Sequence, residues 1–217
     1  GCKLHCINDT DGTLVWKITY MGLAPVIADG YAVAFNYQDG QLYCFGKGKT
    51  ATTVAASPKV TTLGHAVIIE GSVLDMSPAA ENAAAMSDES MSAWMEYLLM
   101  QKAMPTDAVG VPVSIDVVDS NNNCRNIGSA TTDASGTYSF MWTPDIPGKY
   151  TVIATFKGSE SYYSSSAEVA FGVEEAAEPT PEPTQAPTTM AEQYFMPLSI
   201  AMIAAIAIVG FVLALLL

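Results

Sequence analysis

Basic residues are scarce in this chain of 217 residues: Lys and Arg number 9 against 22 Asp and Glu, a formal charge of -13. That balance excludes long-range attraction to nucleic acid or to an anionic bilayer surface, because both need a cationic footprint. Histidine occurs twice, at His5 and His65, neither with carboxylate or cysteine partners at ligand spacing, so no zinc site is expected. The four cysteines, Cys2, Cys6, Cys44 and Cys124, form no CxxC and no adjacent pair, which argues against a dithiol redox centre. GxSxG is missing, and the serines at 161 and 164 to 166 make a polar loop rather than a nucleophile elbow. Asp116 and Asp119 sit in or beside a strand pattern where solvent-facing positions account for them. No catalytic, cofactor-binding or metal-ligating residue is therefore assigned. A basic, apolar leader is missing as well, and the chain opens with Gly1, so a C-terminal fragment of a longer protein is expected.

What is present begins at the other end. Leu198 to Leu217 reads LSIAMIAAIAIVGFVLALLL without a charge. Twenty such residues at about 1.5 Å each make roughly 30 Å of helix, the thickness of a hydrocarbon core. Tyr194 and Phe195 take interfacial positions, and Pro197 suits a first helical turn. Before it, AEPTPEPTQAPTTMAEQ places Pro179, Pro181, Pro183 and Pro187 among threonines and glutamates. This composition favours extended polyproline II and makes a spacer. The acidic bulk of the chain precedes the span and no basic residue follows it, so the expected location is the cell membrane, single-pass, with most of the chain extracytoplasmic. A terminal segment removed during surface anchoring is the alternative.

Residues 3 to 46 contain KLHCINDTDGTLVWKI and PVIADGYAVAFNYQDGQLYCFG, alternating patterns broken by Asp-Gly at 11-12, 29-30 and 39-40. These read as short hairpin strands, with LHCIN and LYCFG as one unit seen twice. Cys6, Asn8, Gly12 and Trp16 take the spacing A-x-D-x-x-x-G-x-x-x-W, with Cys for Ala and Asn for Asp. The segment thereby resembles the PQQ-like β-propeller repeats, over about a fifth of the chain. In that family the Trp packs between blades and the Gly makes the turn, which implies structural roles for Trp16 and Gly12. Quinone-binding members carry an adjacent-cysteine disulfide and a calcium site, so the resemblance implies no cofactor. It also implies that buried free thiols occupy the alanine positions at Cys6 and Cys44. Asn8-Asp9-Thr10 is the one N-glycosylation sequon, with Asn8 as candidate acceptor.

From about residue 50 to 173, stretches such as VPVSIDVVD, GTYSFMW and GKYTVIATF alternate with period two between turn residues, predicting a sandwich of six or seven strands. TDASGTYSFMWTPDIPGKYTVIATF resembles bacterial and archaeal surface Ig-like domains, with a D-x-x-G-x-Y turn leading to an aromatic strand and then P-G-x-Y-T-x-x-A. Tyr150 takes the tyrosine-corner position. An insertion at about 77-107 breaks the strands. In it Met91, Trp94, Met95, Leu98 and Leu99 recur at helical spacing, Ser87 is placed to cap, and Asp88 and Glu89 lie in the first turn, predicting a helix at about Asp88 to Lys102. The stripe either docks on the neighbouring β structure or serves as an adaptable partner-binding face.

The expected fold class is mainly β: incomplete propeller blades (1-48), an Ig-like β-sandwich with a helical insertion (50-173), a disordered Pro/Thr/Glu-rich stalk (174-194) and one transmembrane helix (195-217). The resemblances imply a membrane-anchored prokaryotic surface protein, of archaeal type, with a non-catalytic binding or scaffold role. Its partners would be the bilayer, through Leu198 to Leu217, and an extracellular protein or glycan, with no nucleic acid. A membrane-tethered propeller enzyme whose active site lies in missing sequence, and a surface-layer or adhesion component, are the alternatives.

Overall fold

The computed structural model describes residues 2-176 and 191-216, in two compact units, Gly1–Ala176 and Ala177–Leu217. The prolines and threonines of the expected stalk lie outside the described residues.

The first unit opens with an antiparallel hairpin, β1 (Lys3–Ile7) and β2 (Leu14–Thr19). Its turn is closed by Asn8 N–H to Thr13 O and Gly12 N–H to Asn8 O, both 2.9 Å, with Gly12 at φ 75°. A separate three-stranded meander follows: β3 (Val26–Ala28), β4 (Tyr31–Asn36) and β5 (Gln41–Phe45). Asp29 (φ 51°) and Gly30 (φ 79°) both adopt the left-handed conformation that a tight two-residue hairpin turn demands. Ile18, Tyr20, Ala34, Tyr43 and Phe45 form a small core between the two sheets. Asn36, fully buried, accepts from Met21 N–H (3.0 Å) and Gln38 N–H (3.2 Å) and donates to Asp39 (3.1 Å), so one amide closes its own turn and ties it to the chain leaving β2. The described residues hold no four-stranded blade and no closed propeller, because the five strands divide into two sheets of two and three.

The sandwich contains more strands than the alternation predicts. β6 (Thr50–Thr52), β7 (Ala55–Ser57), β8 (Val60–Thr62) and β10 (Ala83–Ala84) are too short and too polar to show a period. β6, β7, β10 and β13 (Thr137–Trp142) all pair with the long central β9 (Val67–Asp75). The facing sheet has the order β12-β11-β14-β15-β8 and comprises β11 (Pro112–Val118), β12 (Cys124–Thr131), β14 (Gly148–Phe156), β15 (Ser165–Glu174) and β8, the last parallel to β15. Alternate residues point inward, including Val113, Ile115 and Val117 on β11 and Tyr150, Val152, Ala154 and Phe156 on β14, all at most 1% exposed. They share one core with Val67, Ile69 and Val73 of the other sheet. Tyr150 stacks on Phe171 at 5.4 Å and meets Trp142 edge-on at 5.3 Å. Its hydroxyl donates to Asp145 at 2.9 Å and accepts Ile146 N–H at 3.2 Å, fixing the corner before its own strand.

The described part of the second unit is one helix, a wide first turn at Ala191–Phe195 continuing into α2 (Met196–Leu216). Gln193–Leu215, 23 residues with a mean hydropathy of 2.8 over the most apolar 18, is long and apolar enough to cross a membrane. Its apolar side chains are exposed all round, as a helix solvated by lipid requires.

The turn before β13 depends on Asp133. Its carboxylate accepts from the N–H and hydroxyl of Ser135 and from the N–H and hydroxyl of Thr137, and these bonds hold it down at about 2. Asp133→Ala is expected to lower the urea unfolding free energy by about 1 kcal/mol, the scale of solvent-exposed bonds to a charged acceptor. A midpoint unchanged from the parent would overturn the assignment.

Candidate functional site

The insertion forms α1 (Asp88–Met100). Gln101 closes it in the left-handed conformation (φ 53°) with its N–H on Glu96 O. Ser87, expected to cap, makes no side-chain bond to the first turn; its hydroxyl meets Ser90 Oγ at 3.4 Å, while Ser90 accepts Val109 N–H at 2.9 Å. Asp88 also looks outward. Its carboxylate accepts Ser159 Oγ (3.1 Å), Glu160 N–H (3.0 Å) and Ser161 N–H (3.1 Å), holding the 159-161 loop against the start of the helix.

On its other side α1 lies along the open edge of β2. Ser92 Oγ accepts Lys17 N–H at 3.0 Å and Glu96 Oε1 accepts Thr19 N–H at 2.9 Å. Four residues of helix rise about 6 Å and two of strand about 6.6 Å, so side chains at i and i+4 match alternate edge amides. Glu96 also accepts Thr19 Oγ1 at 2.6 Å and pairs with Lys102 at 2.7 Å, with Lys3 at 3.9 Å. Burial alone would push the Glu96 carboxyl up, but the bonds from Lys102 and Thr19 outweigh it and hold it at about 2.

The predicted stripe faces inward. Met91 and Trp94, 5% and 4% exposed, belong to the sandwich core. Leu98 packs against that core, Leu99 against the small N-terminal core, and Met95 against both. A cavity of about 460 Å³ remains where α1 meets the hairpin, the end of β5 and the loop that Asp88 holds. All five stripe residues line it, together with Asn8 and Trp16. Trp16 is half-buried, its ring centroid 4.9 Å from that of Phe45, which also lines the cavity. Gly12 is exposed in its turn and stands apart from the cavity lining. Asn8 accepts Thr10 N–H through its side chain at 2.9 Å, so the sequon asparagine also shapes the turn.

Sequence reasoning missed Asp75, Glu160, Ser161 and Tyr162, contributed by a strand end and by a polar loop without a motif. Asp75, 7% exposed, accepts Ser77 N–H at 2.7 Å and Tyr162 O–H at 3.1 Å, and among the described residues it has no cationic partner. Burial and the adjacent Asp75 push the Tyr162 hydroxyl far up, so it remains a donor. Burial and the field of Glu160 likewise push the Cys6 thiol up. Among the described residues, the buried side-chain polar atoms without a partner are Trp94 Nε1 and Ser161 Oγ, and both residues belong to this wall.

All four cysteines are free, and the expectation of two buried thiols is corrected at Cys44. Tyr43 and Phe45 take the inner face of β5, which turns Cys44 outward and leaves it exposed, while Cys6 is half-buried.

Replacing Glu96 tests how α1 is held. Its folded carboxyl lies below the ordinary value near 4.3, so its contribution is fully present above that pH and is lost as pH falls toward 2. Glu96→Gln is expected to cost about 1–3 kcal/mol at pH 7 in urea unfolding. The difference from the parent should shrink between pH 5 and about 2. A constant difference across that range would refute the ionic part of the contact.

No family model matches the chain, and no curated protein does. Among solved structures, a tetra-tandem repeat from the extending region of a large adhesion protein is similar at TM-score 0.33 and 17% identity, over 66% of this chain and 30% of that one. Fibronectin(III)-like modules of Clostridium thermocellum CbhA are similar at 0.35 and 14%, over 70% and 65%. A β-glucosidase from Listeria innocua is similar at 0.34 and 13%, over 63% and 17%. The chain spans less than two thirds of the length of each of these chains.

Proposed function

We propose that this chain is a non-catalytic binding or scaffold module displayed from a membrane, with Gln193–Leu215 as its single span and the β unit outside the cell. The observation that carries the reading is that helix: 23 residues with no charged group, exposed over its whole described surface and joined to an acidic, folded β unit. Burying such a surface in hydrocarbon removes it from water, whereas leaving it in solvent would create an apolar patch far larger than soluble proteins carry. The Ig-like component is supported by the Tyr150 corner and the Asp133 turn. In that setting the first unit is the presented body and the second is the tether.

Fractionation of cells expressing the full chain tests the proposal. The protein is expected in the membrane pellet after an alkaline carbonate wash, and its β unit is expected to be digested by protease added to intact cells. A chain ending at Ala176 is expected in the soluble fraction. Full-length protein in the supernatant, persistent membrane attachment of the shortened chain, or complete protection from external protease would each overturn it.

A further inference from the structure

We infer that the cavity beneath α1 is a binding site for a small organic cation, an alkylammonium compound carrying an oxygen function. The inference goes beyond the display role and does not depend on it. Aromatic residues from separate elements line it: Trp16 from β2, Tyr31 from β4, Phe45 from β5 and Trp94 from α1. Aromatic faces attract a cation through the ring quadrupole, most strongly where water is excluded. The charges agree in sign. Asp9, Asp75 and Glu160 line the cavity against one cation, Lys47, whose Nζ lies 5.5 Å from the centroid of the Tyr163 ring.

Asp75 is the pointed feature. This carboxyl group is 7% exposed, accepts from two neutral donors and has no cationic side chain paired with it among the described residues. Carboxylates this deeply buried are ordinarily paired. The two orphaned atoms supply the oxygen requirement. Trp94 Nε1 can only donate and Ser161 Oγ can donate or accept, and buried groups of this kind normally find a partner. A hydroxyl or carbonyl on the ligand would satisfy them once it displaces the side chains that cover them. A volume of about 460 Å³ lies within the range of small-molecule sites.

Titration of the full chain in a non-ionic detergent with choline, and with its uncharged dimethylbutanol isostere, tests the inference by tryptophan fluorescence and calorimetry. Choline is expected to bind saturably, and the isostere at least about tenfold more weakly. Asp75→Asn is expected to weaken choline at least about tenfold. Because Asp75 is buried, Glu160→Gln on the exposed loop serves as a second variant, with an expected loss of about two- to fivefold and an unchanged thermal melt. No saturable choline signal in folded protein, equal affinity for the neutral isostere, or full choline affinity in both variants would overturn the inference.

Discussion

The docking of one helix against one strand edge holds the first unit together. β2 pairs with β1 on one side only, and an uncovered strand edge offers free N–H groups to any passing strand. Ser92 and Glu96 fill that edge with side-chain oxygens instead, while Met91 and Trp94 on another face of α1 enter the sandwich core. α1 thus joins two hydrophobic cores, with Met95 of the helix and Trp16 of β2 packed against both. The cavity lies at that junction, where surfaces from several elements meet without filling the space between them.

The acidic surplus has a structural use. Asp39 accepts from Asn36, Gln41 and Tyr43; Asp119 from Asn121 and Asn123; Asp133 from Ser135 and Thr137; Asp145 from Tyr150 and Arg125. Each closes a turn by satisfying backbone or hydroxyl donors that strands leave behind at their ends. Asp75 differs from these in lining the cavity, whereas Asp119, buried to a similar degree at 6% exposed, is enclosed by its own turn.

Legibility in the sequence followed the strength of the period. β11 and β14 carry clean inward alternation over seven and nine residues, and their assignment was direct. The α1 stripe was equally clear, because five large apolar residues at helical spacing have few other uses. β6, β7, β8 and β10 were not readable: strands of two or three residues, rich in Ala and Thr, exist because β9 and β15 offer partners to them, and that information lies elsewhere in the chain. The Ser87 cap failed for a similar reason, since nearby hydroxyl and backbone groups set which donors and acceptors are available. The cavity was the least legible feature. Its wall draws on residues from Cys6 to Tyr162, and no local pattern announces that Asp75 and Trp94 will meet.

The strand order of the second sheet sets how the first unit bears load. β15 is its last strand, so tension applied through the C-terminus enters along β15. That strand is bonded antiparallel to β14 over nine residue pairs and parallel to β8 over three. A pull along its axis must shear both ladders together rather than unzip one bond at a time. β15 is in this way clamped on both sides, and drawing it out requires both ladders to break.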